Sequence, residues 1–257
     1  MGGSRGRRGL VAVGGGGVLV ALLTGCGAAD AGEAAVERKA FPFSGKVLTV
    51  DSDNSAVRVI AADVSRVEVT RQVDGWVFAG SGPEKSWKLA DGRLTLRMKC
   101  TGVVSDCEGR HTVRVPHGVD VTVKNDNGEV TASGFRTPLR ISSDNGKVTV
   151  RDTTGPLDLR SDNGQVVTER VRAATVKVRT DNGSVRIGVR EGAVPERVDV
   201  ATDNGAIRVD LPRAGAPYAV DAHSENGKTD VDVARDGSSP RVVTARSDNG
   251  KVTVRGV

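Results

Sequence analysis

The 257-residue sequence is poor in the side chains that carry chemistry or stacking. Only 3% of it is aromatic, with a single tyrosine (Tyr218), and its three histidines, His111, His117 and His223, are scattered. Nucleic-acid recognition wants a clustered basic face with rings to stack on, so that partner is excluded. The histidines fall in no Ser-His-Asp arrangement and at no metal-ligand spacing. His111 and His117 share a side of a strand only if Pro116 keeps the register, and both are read as surface residues. No uninterrupted apolar run is long enough to cross a bilayer core of roughly 30 Å as a helix. No catalytic residue, metal ligand or cofactor is expected, and the chain is read as a non-enzyme.

What the sequence does have begins at its N-terminus. Arg5, Arg7 and Arg8 form a positive segment without acidic residues, and an uncharged Val, Ala, Leu and Gly stretch runs from Leu10 to Leu23. That is the make-up of a secretory signal. It ends in Leu23-Thr24-Gly25-Cys26, which resembles a lipobox: small residues fit the signal peptidase, and a free thiol takes diacylglycerol. Residues 1–25 are therefore expected to be a lipoprotein signal peptide. Cys26 is then the lipidated residue, and residues 26–40 a flexible tether of small and charged side chains. Arg7-Arg8 leaves twin-arginine export open beside the general route. Two or more acyl chains anchor firmly, so the expected location is the extracytoplasmic face of the cell membrane. Removing the signal takes three arginines and lowers the formal charge from +5 to +2. The mature body is nearly neutral.

With Cys26 assigned to lipid, two cysteines remain. Cys100 and Cys107 lie seven apart, and outside the cytoplasm such a pair is expected to form a disulfide, here across a small Gly-containing hairpin loop. A metal site would need further ligands, and only His111 is near.

The dominant feature is an internal repeat. Asp126-Asn127-Gly128, Asp144-Asn145-Gly146, Asp162-Asn163-Gly164, Asp181-Asn182-Gly183, Asp203-Asn204-Gly205, Glu225-Asn226-Gly227 and Asp248-Asn249-Gly250 recur at intervals of 18, 18, 19, 22, 22 and 23 residues. A hydroxyl residue precedes all but the first, where Asn125 stands. Aliphatic residues alternate on both sides of each motif, as in Val121-x-Val123 before the first and Val130-x-Ala132 after it. Each unit is thus a period-2 strand, a turn and a second period-2 strand. A degenerate copy lies upstream at Asp53-Asn54-Ser55. Positive φ at Gly, tolerated at Asn, and an acidic or hydroxyl side chain bonded to turn amides account for the motif as a turn former.

Two architectures satisfy this pattern. In a meander of Asn-Gly hairpins, Val123 would oppose Ala132. In a parallel β-solenoid each unit is one coil of 18–23 residues, with turns stacked roughly 4.8 Å apart. The solenoid is preferred, because equivalent side chains recur in register and a hairpin meander would leave its apolar face uncovered. The fold class expected is all-β, one domain over residues 41–257, irregular from 60 to 120 and regular from 121 to 257. In the irregular part, Trp76, Phe78 and Trp87 fall near an inserted loop over about 74–88, expected to cap the solenoid or pack on its core. A carbohydrate-stacking surface is the other use of such rings.

The stretch His111-Thr-Val-Arg-Val-Pro116-His-Gly118-Val-Asp-Val-Thr-Val-Lys124, followed by the first Asn-Gly and its later copies, resembles the bacterial "putative adhesin" family of β-strand-repeat proteins. The resemblance runs from about Phe41 to Val257 and implies a right-handed, β-helix-like solenoid on the cell envelope. The function expected is an adhesin-like or structural surface module. Its expected partners are the membrane, through the acyl chains, and a cell-surface glycan or protein. Stacked turn carboxylates make an envelope sensor of calcium or a small ligand the alternative, although Lys147, Lys228 and Lys251 could offset their charge. A glycan-active enzyme is a third reading, for which no groove of clustered acids is apparent.

Overall fold

The computed structural model describes residues 29–213 and 217–257. A short strand β1 (Glu37–Phe41) is followed by a first coil made of β2 (Val47–Asn54) and β3 (Ala56–Ala62). Two 24-residue strands come next, β4 (Val67–Ala90) and β5 (Arg93–Pro116). The regular coils are β6 (Asp120–Asn127) with β7 (Val130–Ser133), β8 (Leu139–Asn145) with β9 (Val148–Arg151), and β10 (Leu157–Asn163) with β11 (Val166–Val171). They continue as β12 (Thr175–Asn182) with β13 (Val185–Val189), and β14 (Arg197–Asn204) with β15 (Ile207–Leu211). The last two are β16 (Ala219–Ser224) with β17 (Thr229–Asp232), and β18 (Val242–Asn249) with β19 (Val252–Gly256).

The two arms of a regular coil pair with the same arms of neighbouring coils, in parallel. Leu139 stands between Val121 and Leu157, and Val148 between Val130 and Val166. This is the solenoid, and it rules out the hairpin meander, in which the arms would pair antiparallel with each other. The period-2 pattern puts one row of side chains from each arm inside. Val121, Leu139, Leu157, Val176, Val198 and Val243 line one wall, and Val130, Val148, Val166, Val185, Ile207 and Val252 the other, all buried. Each contributes on the order of 1.5–3 kcal/mol by leaving water.

Two features depart from a simple coil-after-coil stack. First, the last coil in sequence is not the last in space. β18 lies between β14 and β16, and β19 between β15 and β17. The reason is in the side chains: Val243, Ala245, Val252 and Val254 are buried, whereas the β16–β17 coil carries exposed Thr229 and only half-buried Val220, Ala222 and Val231. The weaker coil takes the end position, where only one of its sides is covered.

Second, β4 and β5 form one long antiparallel hairpin from Glu68↔Arg114 to Ala90↔Arg93. It turns at Asp91-Gly92, both with positive φ (50° and 71°), as a two-residue hairpin turn requires. Near the turn, β5 pairs with β2 over Arg93–Leu96, and at its far end it pairs with β3 over Arg110–Pro116. The first coil passes its corner with residues 53–55, while β5 uses 97–109 for the same passage. The surplus forces the two-stranded ribbon to arch out of the coil and return. Residues 74–88, expected as a loop, are therefore the outer strand of this arch.

The disulfide Cys100–Cys107 staples the arch. Seven residues of extended strand span roughly 23 Å, yet the two Cα atoms are 6.6 Å apart. The expected bond is formed, but across a fold within β5 rather than across a hairpin loop.

Candidate functional site

The Asp-Asn-Gly corner is the element most often repeated, and its parts have distinct tasks. Parallel register sets the asparagines one above another. Asn127 donates from its side-chain amide to Asn54 (2.9 Å), Asn145 to Asn127 (3.2 Å), Asn163 to Asn145 (3.1 Å) and Asn182 to Asn163 (3.1 Å). Asn204 donates to Asn182 (3.0 Å), Asn249 to Asn204 (2.9 Å) and Asn226 to Asn249 (3.1 Å). Eight amides thus form one unbroken ladder, in which each bond polarises the next. The hydroxyls before the acidic residues point inward. Thr202, Ser247 and Ser224 donate to the carbonyls of Gly183, Gly205 and Gly250 in adjacent coils, at 3.0, 2.9 and 2.7 Å. For these three side chains the expected role, capping the amides of their own turn, is replaced by bonding between coils, while the hydroxyls of Ser143 and Ser161 are buried without a partner among the described residues.

The glycines also differ from expectation. Positive φ is found at Gly128, Gly146 and Gly250 but not at Gly164, Gly183, Gly205 or Gly227, and at no corner asparagine. Space is what selects glycine. A Cβ on Gly146, Gly164, Gly183, Gly205 or Gly250 would lie 2.0–2.1 Å from the carbonyl oxygen of the glycine stacked on it.

Asn163 sits in mid-ladder, and Asn163→Ala is expected to cut the ladder in two. The loss of two amide bonds should lower stability by about 1–2 kcal/mol, read as a reduced urea midpoint with an unchanged slope.

The carboxylates are left on the outside of the corner. They run Asp53, Asp126, Asp144, Asp162, Asp181, Asp203, Asp248 and Glu225, with Asp248 before Glu225 because of the inserted coil. Among the described residues no three His, Cys, Asp or Glu side chains converge as a cation would require. The column is a line, not a cage.

An open cleft of about 790 Å³ lies where the arch meets the first coils, lined by Arg58, Gln72, Glu108, Arg110, His111 and Glu129 among others. His111, expected at the surface, is only 1% exposed. It pairs with Val57 and Arg71 across its two neighbouring strands, and shares the inward parity of Val113 and Val115. Burial foremost, then the nearby Arg71 charge, pushes its pKa down to about 4, with Asp53 opposing. The folded state therefore holds His111 neutral while the unfolded chain takes up a proton below about 6.5. Stability is intact above that pH and is lost as pH falls towards 4, by about 3 kcal/mol over the window. Urea midpoints at about pH 7.5 and about pH 4.5 should diverge more in the wild type than in His111→Gln.

The rings divide between two environments. Trp87 packs on the core, with the Arg71 guanidinium 4.0 Å from its ring centre and Lys39 at 6.0 Å. Arg71 is also paired with Glu37. Trp76 (37% exposed) and Phe78 (64%) instead stand on the arch with Val103 (77%) and Val104 (51%). The expected capping role holds for Trp87 alone.

Cys26 lies outside the described residues. From Ala29 the chain is bound to the arch: Ala29 N–H donates to Asp106 (2.9 Å), Asp30 N–H to Asp74 (2.9 Å) and Ala31 N–H to Glu108 (3.2 Å). The Gln72 amide donates to the carbonyls of Gly32 and Ala34, and β1 then pairs antiparallel with β4. From Ala29 onward the expected tether belongs to the folded body.

These features define the class: a parallel β-solenoid with an asparagine ladder at its corner and a stapled antiparallel arch over its first coils. No family model matches the sequence, and no curated protein matches it. Among solved structures, the chain is similar to a putative adhesin from Bacteroides fragilis, with a TM-score of 0.49 and 14% identity over 87% of this chain and 97% of that one. It is also similar to a putative cell adhesion protein from Clostridium sporogenes, with a TM-score of 0.42 and 14% identity over 87% of this chain and 99% of that one.

Proposed function

We propose that the chain is a non-enzymatic, adhesin-like surface module of the bacterial envelope, held at the extracytoplasmic face by acyl chains on Cys26. One observation carries this reading. The repeated polar motif, the natural place to look for a recurring site, is largely consumed by the scaffold, with its amides bonded to each other and the hydroxyls of Thr202, Ser224 and Ser247 bonded to neighbouring coils. What is left for a partner is the long outer surface, where charges are set in cross-coil pairs such as Arg179–Asp199 and Arg170–Asp152. Such a regular polar face suits a repetitive partner, a cell-surface glycan or an extended protein, held by many weak contacts. The test is display of the full chain on a bacterium that lacks it, followed by retention on glycan- and matrix-coated surfaces under flow. Retention several-fold above cells displaying nothing supports the adhesin-like reading. Equal retention reduces the module to a structural spacer. A melting temperature raised by millimolar calcium and restored by chelator would replace it with the cation-sensor reading.

A further inference from the structure

We propose that the stapled arch is a membrane-contacting element, which inserts Trp76, Phe78 and Val104 into the interface of the bilayer that holds the acyl anchor. The inference rests on the lipid-anchored reading and adds to it a second, protein-made contact. The antiparallel register pairs Phe78 with Val104 and Trp76 with Asp106, so these four side chains share one face of the ribbon. Three of them are apolar and exposed, on the part of the ribbon that arches away from the first coil. Asp106, the fourth, accepts the backbone N–H of Ala29.

That bond fixes the occupant. Cys26 is three residues before Ala29, and three residues reach at most about 11 Å. The acyl chains therefore leave the protein within about 1.5 nm of the carboxylate of Asp106, the residue that faces Trp76 across the ribbon. An apolar surface held that close to a lipid anchor meets the headgroup and acyl boundary, where tryptophan partitions preferentially. Asp74 and Glu108, which accept the N–H groups of Asp30 and Ala31, hold the same segment on the arch, so anchor and patch move together. The Cys100–Cys107 staple keeps the ribbon folded into an arch. The acyl chains alone suffice to hold the protein, so the arch orients it: two contacts side by side set how the solenoid stands on the membrane.

Bromolipid quenching of tryptophan tests this. The full chain, purified from membranes with its N-terminus intact, is reconstituted into vesicles of equal parts phosphatidylcholine and phosphatidylglycerol, with and without brominated acyl chains. The wild type carries two tryptophans, and Trp87, packed under Lys39 and Arg71, serves as the internal reference. Brominated lipid is expected to remove about a third or more of the wild-type emission, as for an interfacial ring, and to leave Trp76→Phe nearly unquenched. Protein that floats with the vesicles yet shows no difference between wild type and Trp76→Phe overturns the arch contact and leaves the anchor standing. A blue-shifted Trp76 emission without quenching means that protein, such as a second copy, covers the patch, and overturns it as well. Failure to float, with an unmodified Cys26 by mass spectrometry, sinks the lipid-anchored reading and this inference with it.

Discussion

Gly164→Ala is expected to destabilise the protein by roughly 3–5 kcal/mol, at the upper end of what one substitution does. The added Cβ would lie 2.0 Å from the carbonyl oxygen of Gly146 and 2.7 Å from its carbonyl carbon. Both are backbone atoms, fixed by the bond from Gly146 N–H to Asn163 O at 3.1 Å, so no flexible side chain can swing away. Separation of the coils would break the strand pairing on both arms. In a stacked array, stability is a sum of units and interfaces, so one damaged interface should also split the unfolding into two transitions. Gly237→Ala is the control: nothing lies within 4 Å of its added Cβ, and its effect should stay within about 0.5 kcal/mol. Urea unfolding followed by circular dichroism separates the two, and a Gly164→Ala midpoint equal to that of the control would refute the steric account.

The second large effect concerns the end of the chain. Truncation after Arg241 removes β18 and β19 and with them the buried Val243, Ala245, Val252 and Val254, a loss on the order of 5 kcal/mol or more. A simple solenoid would shorten by one coil and keep the rest. Here, among the described strands, β16 and β17 have only β18 and β19 as parallel partners, so the coil before the cut loses its support too. The 1–241 protein should melt no higher than a 1–212 protein, and trypsin should cut it after Lys228 and Arg235. Survival of residues 217–241 as protected structure in the shorter chain would show that β16 and β17 can pair elsewhere.

Much of this fold was legible because it is periodic. Aliphatics two residues apart on both sides of every Asp-Asn-Gly define two arms and their inner faces, and the common spacing defines parallel stacking. The order of the final coils was not read, although a trace of it is present. Thr229 stands where the other coils carry Val or Ile, and Ala222 where most carry a larger aliphatic residue, as suits a coil covered on one side only. The long hairpin was missed for a related reason. Where the ribbon arches, both faces meet water, so alternation lapses and the segment reads as loop; Asp91-Gly92 was the local signal for its turn. His111 is expected at the surface as one of a pair with His117, yet its strand parity with Val113 and Val115 places it inside. The candidate site was the least legible part. Nothing in the sequence brings residues 29–31 to Asp74, Asp106 and Glu108, because that contact joins segments far apart through a fold the repeat does not encode.

The inserted coil also sets an order in time. Synthesis delivers the chain from its N-terminus, and each coil up to β14 and β15 can dock on the one already formed. The next in sequence, β16 and β17, does not hold the place beside β14 and β15 in the folded chain. That place is filled by the last 16 residues, Val242–Val257, whose C-terminal residue is tied in by the bond from Val257 N–H to Leu211 O at 2.8 Å. Docking of β16 and β17 therefore waits for Val242–Val257, and a chain in which that segment is not yet in place keeps an open end.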